Sequence, residues 1–366
     1  MELRKIVIAI DSFKGSMTSE EAADSIQNAI LDVIPDCAVV KIPMADGGEG
    51  TLEAIASDSE KIKLTVKGPL GEDVCASYAI KNGTAVIEMA QAAGLTLVST
   101  ERRNPMETST FGVGQMIMDA GEKGVRKFLI GLGGSSTNDA GCGMLRAMGF
   151  DFGVGDFPAG KDLALIESVD ESGVPGWLRE CEFSIACDVD TPFCGEDGAA
   201  CVFAPQKGAD EAMVARLDGG LWSFAKVILK EYGKDITRLP GAGAAGGMGG
   251  TLVALLGARI LSGVDAVLDT SGFDDIVKGC DLVFTGEGRM DRQTPMGKVP
   301  FGVLRRSHGV PVVSLAGRID DCPEMGFLRT VEISPRDNIE ESMKNEVAKS
   351  NLYKAAKGIL LSLLKF

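Results

Sequence analysis

Residues 5 to 10 (KIVIAI) form an apolar run closed by Asp11, the pattern of a strand buried on both faces. Thr18-Ser19-Glu20-Glu21 then has the form of a capping box. Apolar side chains recur behind it at Ala22, Ala23, Ile26, Ile30, Val33 and Ile34, a helical period that Pro35 stops. Ala38 to Pro43 completes a strand–helix–strand unit. Its right-handed crossover puts the loops after both strands, residues 11–16 and 45–50, on one edge of a parallel sheet, where open α/β sheets bind ligands.

From about residue 60 the pattern changes. Leu64 to Lys67 and Val74 to Ile80 flank Gly68-Pro69-Leu70-Gly71, and Asn82-Gly83 turns into Ala85 to Glu88, which predicts antiparallel ribbon. A helix near 108–121, a strand Lys127 to Leu132, a Gly-rich turn from Gly133 to Gly143 and a strand Glu182 to Cys187 follow. Short β-branched runs at Asp281 to Thr285, Val310 to Leu315 and Arg329 to Ile333 restore parallel α/β texture, and Asn351 to Phe366 reads as an amphipathic helix facing the sheet. The economical arrangement is a sheet domain formed by both chain ends, 1–64 and 273–366, with 65–272 inserted as a second α/β domain.

Composition narrows the chemistry. The chain has 366 residues, 45% of them hydrophobic, enough for two α/β cores. A net charge of −15 repels nucleic acid and anionic lipid, so an anionic substrate must be held by a few local cations and backbone N–H groups. The N-terminal apolar run is too short for a signal h-region or a membrane span, so a cytoplasmic protein is expected. Nine cysteines, none in a C-x-x-C pair, read as reduced thiols, and the spacing of Cys187, Cys194 and Cys201 fits no zinc signature. The single histidine, His308, sits at an expected helix end, which argues against Ser-His-Asp and Cys-His catalysis.

Three glycine motifs differ in context. Gly155-x4-Gly160-Lys161 has Asp162 in place of the Mg2+-binding hydroxyl residue and no strand before it, so it is a surface turn. Gly241-x-Gly243-x-x-Gly246 lacks a preceding strand and reads as a close-packed run at a helix start, against another element or an adenine. The run Gly131 to Gly141 follows a strand and precedes a helix. Its glycines and hydroxyl residues suit an anion nest, against the plainer reading of a capped tight turn. Phosphoryl transfer also needs cations, carboxylates for Mg2+ and a group that positions the attacking hydroxyl. Lys14, Asp46, Glu49, Glu287, Arg289, Asp291 and Lys298 stand near the ends of three predicted strands, while Asp188 and Asp190 form a carboxylate pair that Asx-turn chemistry explains equally well.

These runs closely resemble the glycerate kinase type I family. The matching segments are residues 11–16, 43–51, 131–143, 186–192, 241–250 and 285–291, with Gln293 and Gly297-Lys298, in family-like order; Ser136 and Cys142 are small departures. The resemblance implies a discontinuous Rossmann-like parallel-sheet domain with an inserted mixed-sheet, flavodoxin-like domain and a site in the cleft between them. It implies an ATP-dependent kinase that phosphorylates D-glycerate, with 2-phosphoglycerate favoured, and uses Mg2+. On that reading Lys14, Asp46, Asp291 and Lys298 are catalytic, and Ser12, Gly47, Gly48 and Arg289 bind substrate. Gly133, Gly134, Ser135, Ser136 and Asn138 hold nucleotide phosphates, and Asp188 and Asp190 hold the metal. A homodimer is compatible with the sequence. The alternatives are a nicotinamide-dependent hydroxy-acid dehydrogenase and a non-catalytic sugar-acid-binding regulator.

Overall fold

The computed structural model describes residues 3–44, 61–335 and 338–364, so Asp46, Gly47, Gly48 and Glu49 lie outside the described residues. Contacts divide the described chain into two compact units, residues 3–44 with those from 267 onward, and residues 61–266. Each has its own hydrophobic core. Eleven strands are found among the described residues: β1 (Lys5–Ile10), β2 (Ala38–Pro43), β3 (Lys61–Lys67), β4 (Asp73–Lys81), β5 (Thr84–Glu88), β6 (Lys127–Gly131), β7 (Glu182–Ala186), β8 (Arg259–Leu261), β9 (Leu282–Met290), β10 (Val312–Ile319) and β11 (Arg329–Glu332).

The first unit carries a parallel sheet in the order β11-β10-β9-β1-β2. β1 is central, which is why its apolar run is continuous: Ile6 to Ile10 are all buried. The helix Ser19–Val33 starts at the expected capping box, with Glu21 N donating to Thr18 Oγ1 at 3.1 Å and Thr18 N to Glu21 Oε2 at 2.9 Å. It buries Ala22, Ala23, Ile26, Ala29 and Ile30, and leaves helical geometry at Ile34 (φ −136°, ψ 81°), the residue before proline. The C-terminal helix Asn345–Leu364 begins six residues ahead of the expected start and adds Leu352, Ala356, Ile359 and Leu360 to the same core.

β9 also departs from expectation, because it runs past Thr285 to Met290. The glycines explain this. A Cβ at Gly286 would overlap the Leu315 carbonyl oxygen, so only glycine lets β10 approach there, and pairing then continues through Glu287 with Ala316 and Arg289 with Arg318. Glu287 and Arg289, two apart on a strand, share one face.

The second unit carries a sheet in the order β3-β4-β5-β6-β7-β8. The expected ribbon accounts for β3, β4 and β5, with Asn82 and Gly83 at φ 49° and 77° making the turn. From β5 onward the strands run parallel, so the sheet is mixed. All nine cysteines are unpaired. Among the described residues no helix is long and apolar enough to cross a membrane.

Candidate functional site

In the first unit the chain passes from β1 to β2 on one side and returns to β9 on the other, so the carboxyl ends of β1 and β9 flank a topological switch point. The loop after β1 is tied there by its backbone. Asp11 N donates to Gly286 O at 3.1 Å, and Ser12 N to Asp11 Oδ1 at 2.7 Å. Phe13 is buried and closes a tight turn with Ser16 and Met17. A Cβ at Gly288 would stand 3.5 Å from Lys14 N, which fixes the exposed Lys14 beside β9.

On β9 and the turn after it, cations and carboxylates interlock. Lys298 Nζ lies 3.0 Å from Asp291 Oδ1 and 3.5 Å from Glu287 Oε2, and donates to Arg289 O at 3.3 Å. Thr294 Oγ1 donates to Glu287 Oε1 at 2.8 Å and accepts from Asp291 N at 3.0 Å. Arg289 Nε reaches Asp320 Oδ2 at 2.9 Å, and Arg318 Nε reaches the other Asp320 oxygen at 2.9 Å. Lys14, Arg289, Asp291 and Lys298 therefore share one edge of one sheet.

The two carboxyls beside Lys298 are pushed in opposite directions. The hydrogen bond from Lys298 holds Asp291 below the usual carboxylate range. Glu287 is 7% exposed, and burial raises its pKa to about 7, with the Asp11 charge adding to the rise and the Thr294 and Lys298 contacts opposing it. A carboxyl that titrates near neutrality beside an ammonium can accept a proton from a substrate hydroxyl.

In the second unit the loops after β6 and β7 leave the same edge of the sheet. The turn after β6 is anchored by its carbonyls: Gly134 O accepts from Leu95 N at 2.8 Å, Ser136 O from Thr108 Oγ1 at 2.9 Å and Thr137 O from Lys207 Nζ at 2.6 Å. A trans peptide points its N–H opposite its C=O, so the N–H groups of Ser135, Thr137 and Asn138 turn away from those interior donors. Gly134, at φ 70°, allows the reversal. Ser136 faces inward, since both its N–H and its hydroxyl donate to Ala93 O at 2.9 Å. Asp139 is buried and accepts from Thr110 N, Thr110 Oγ1, Gly141 N and Gly143 N at 2.7 to 3.2 Å. Burial raises its pKa, and those bonds oppose the rise. The helix that follows, Cys142–Ala147, is short, and the turn owes its donors to its own peptides.

The Gly241–Gly250 run braces both loops. Gly243 N donates to Thr191 O at 2.9 Å and Ala140 N to Gly246 O at 3.1 Å, and a Cβ at Gly246 would overlap the Thr137 carbonyl. Asp188 and Asp190 are exposed. Asp188 Oδ1 accepts from Gly263 N at 3.0 Å, a long-range contact and not a local Asx turn. Among the described residues no group of three or more His, Cys, Asp or Glu could hold a metal alone. Two carboxylates are hard oxygen donors, compatible with a cation such as Mg2+ that takes its remaining ligands from phosphate oxygens and water.

Sequence reasoning places Glu287 among the strand-end candidates without giving it a role, and it does not single out Lys207. Glu287 had an available signal in the alternation Thr285, Glu287, Arg289. Lys207 had none, because its partners lie about seventy residues away.

The family model described as the glycerate kinase family matches residues 6–364. A glycerate kinase of Halalkalibacterium halodurans is 45% identical over 335 residues, 89% of this chain and 88% of the relative. The glycerate 2-kinase of Escherichia coli K12 is 43% identical over 331 residues, 87% of this chain and 86% of the relative. A crystal structure of a Salmonella typhimurium LT2 protein, provisionally named glycerate kinase 2, superposes with a TM-score of 0.87 at 37% identity and covers 100% of this chain and 99% of that one.

Proposed function

The chain belongs to the glycerate kinase family, and from that premise we propose that it transfers the γ-phosphoryl group of ATP to the 2-hydroxyl of D-glycerate in the cytoplasm, releasing 2-phosphoglycerate and ADP. The observation that carries the reading is the gathering of Lys14, Arg289 and Lys298 with Glu287 and Asp291 at one switch-point edge of an otherwise acidic protein. The dehydrogenase and regulator alternatives have nothing in the family match to support them.

The guanidinium of Arg289 suits the glycerate carboxylate, whose two oxygens match its planar fork, and Asp320 Oδ2 steadies it through Nε. Lys14 and Lys298 neutralise charge on the transferring phosphoryl group, as transfer through a loose transition state requires. Asp291 orients Lys298, and Glu287 accepts the hydroxyl proton as the new O–P bond forms and the bond to the ADP oxygen breaks. Ser12, Asp46, Gly47 and Gly48 complete the glycerate side. In the second unit the N–H groups of Ser135 and Asn138, with Gly133 and Gly134, bind nucleotide phosphates. Asp188 and Asp190 hold Mg2+, which supplies further neutralisation of phosphate charge when bound.

Incubation with ATP, Mg2+ and D-glycerate, followed by phosphorus NMR, tests the reaction and its position together. The expected products are ADP and 2-phosphoglycerate. A 3-phosphoglycerate signal would overturn the regiochemistry, and no ADP would overturn the reaction.

A further inference from the structure

Lys207 is 2% exposed, in the short turn Pro205–Lys207. A buried ammonium is costly unless acceptors surround it. Its acceptors are Ser135 Oγ at 2.8 Å and Thr137 O at 2.6 Å, both in the turn after β6. Gly208, at φ 96°, sits so close to the Arg103 carbonyl that a Cβ would overlap it, which locks the Lys207 backbone. Asp139 is the charged group whose field reaches Lys207.

Beside this cation lie polar groups with nothing to bind. Both amide atoms of Asn138 and the hydroxyl of Thr137 lack hydrogen-bond partners, although both residues are 0% exposed. Leaving such a group unsatisfied costs about 1–3 kcal/mol, so these buried atoms mark the part of the turn where a polar ligand would be held.

We propose that Lys207 is the positioning residue of a nucleoside triphosphate site: by holding the Thr137 carbonyl and the Ser135 oxygen from beneath, it aims the Asn138 N–H and the Ser135 O–H at bound phosphates. The proposal rests on the reading that this turn takes nucleotide phosphates. Geometry supplies the aim. The Thr137 carbonyl and the Asn138 N–H belong to one peptide plane, so the bond that fixes the first directs the second. A serine oxygen that accepts from an ammonium has its own proton left for another acceptor. Burial also lowers the Lys207 pKa to about 7, with Asp139 opposing the fall. Above that pH the empty site holds Lys207 largely neutral, and phosphate charge above the turn recharges it.

The test is calorimetric titration of the full-length chain with ATP at about pH 8, in two buffers of different ionisation enthalpy, beside steady-state kinetics. The unaltered chain is expected to take up a substantial fraction of a proton per ATP bound. K207M is expected to lose that uptake and to raise KM for ATP about 10- to 100-fold, the worth of a charge-assisted hydrogen bond, with KM for glycerate unchanged. Absence of proton uptake in the unaltered chain overturns the proposal without requiring any variant to fold. A folded K207M with unchanged KM for ATP also overturns it. S135A separates the layers: weakened ATP binding in S135A with none in K207M removes Lys207 alone, whereas intact ATP binding in both removes the turn as the phosphate site.

Discussion

Glu287 and Asp291 reach the same ammonium, yet only Glu287 titrates near neutrality, because it is buried and Asp291 is not. E287Q should therefore lower kcat about 10²- to 10⁴-fold and remove an acidic limb near pH 7 from the kcat profile, while KM for ATP stays unchanged. The same group also leaves a mark on stability. Its pKa rises from 4.5 to about 7 on folding, so the folded chain binds this proton more tightly, and the stability it contributes below 4.5 is lost as pH climbs through 7. Urea denaturation between about pH 5 and pH 8 should show a decline of up to roughly 3 kcal/mol that E287Q flattens. Asp291, kept charged by Lys298, contributes no comparable slope in that range.

At the scale of elements, what local chemistry dictates was readable and what distant pairing dictates was not. β1, the helix Ser19–Val33 and β2 follow from an apolar run, a cap and a proline lying within about forty residues, and the hairpin follows from Asn82-Gly83. The extension of β9 through Gly-Glu-Gly-Arg does not, because these residues have poor strand propensity and are held by β10, some thirty residues later. Lys207 is the stronger case. Nothing in Pro205-Gln206-Lys207-Gly208 marks a buried cation, and only the fold brings Ser135 and Thr137 to it. The glycine that permits the β9 extension is the element's weak point. G286A places a methyl group against the Leu315 carbonyl, and should cost about 2–4 kcal/mol in urea denaturation, with kcat falling alongside because Glu287 and Arg289 lose their register.

Among the described residues, one unit is a single stretch of chain and the other is built from two. Residues 61–266 run unbroken through their own sheet and core, so a fragment with those bounds should give a single cooperative thermal transition, shifted upward by ATP if the turn after β6 binds it. The other unit has no such independence, because β1 takes one neighbour from the start of the chain and the other from β9. On a ribosome this ordering becomes a delay. Once β2 has emerged, roughly 240 further residues must be made before Leu282 appears, which at 5–20 residues per second is roughly ten to fifty seconds. Throughout that interval the most apolar strand of the nascent chain has one edge uncovered, and it is then that a chaperone, or a neighbouring copy of the same strand, has its opportunity to bind.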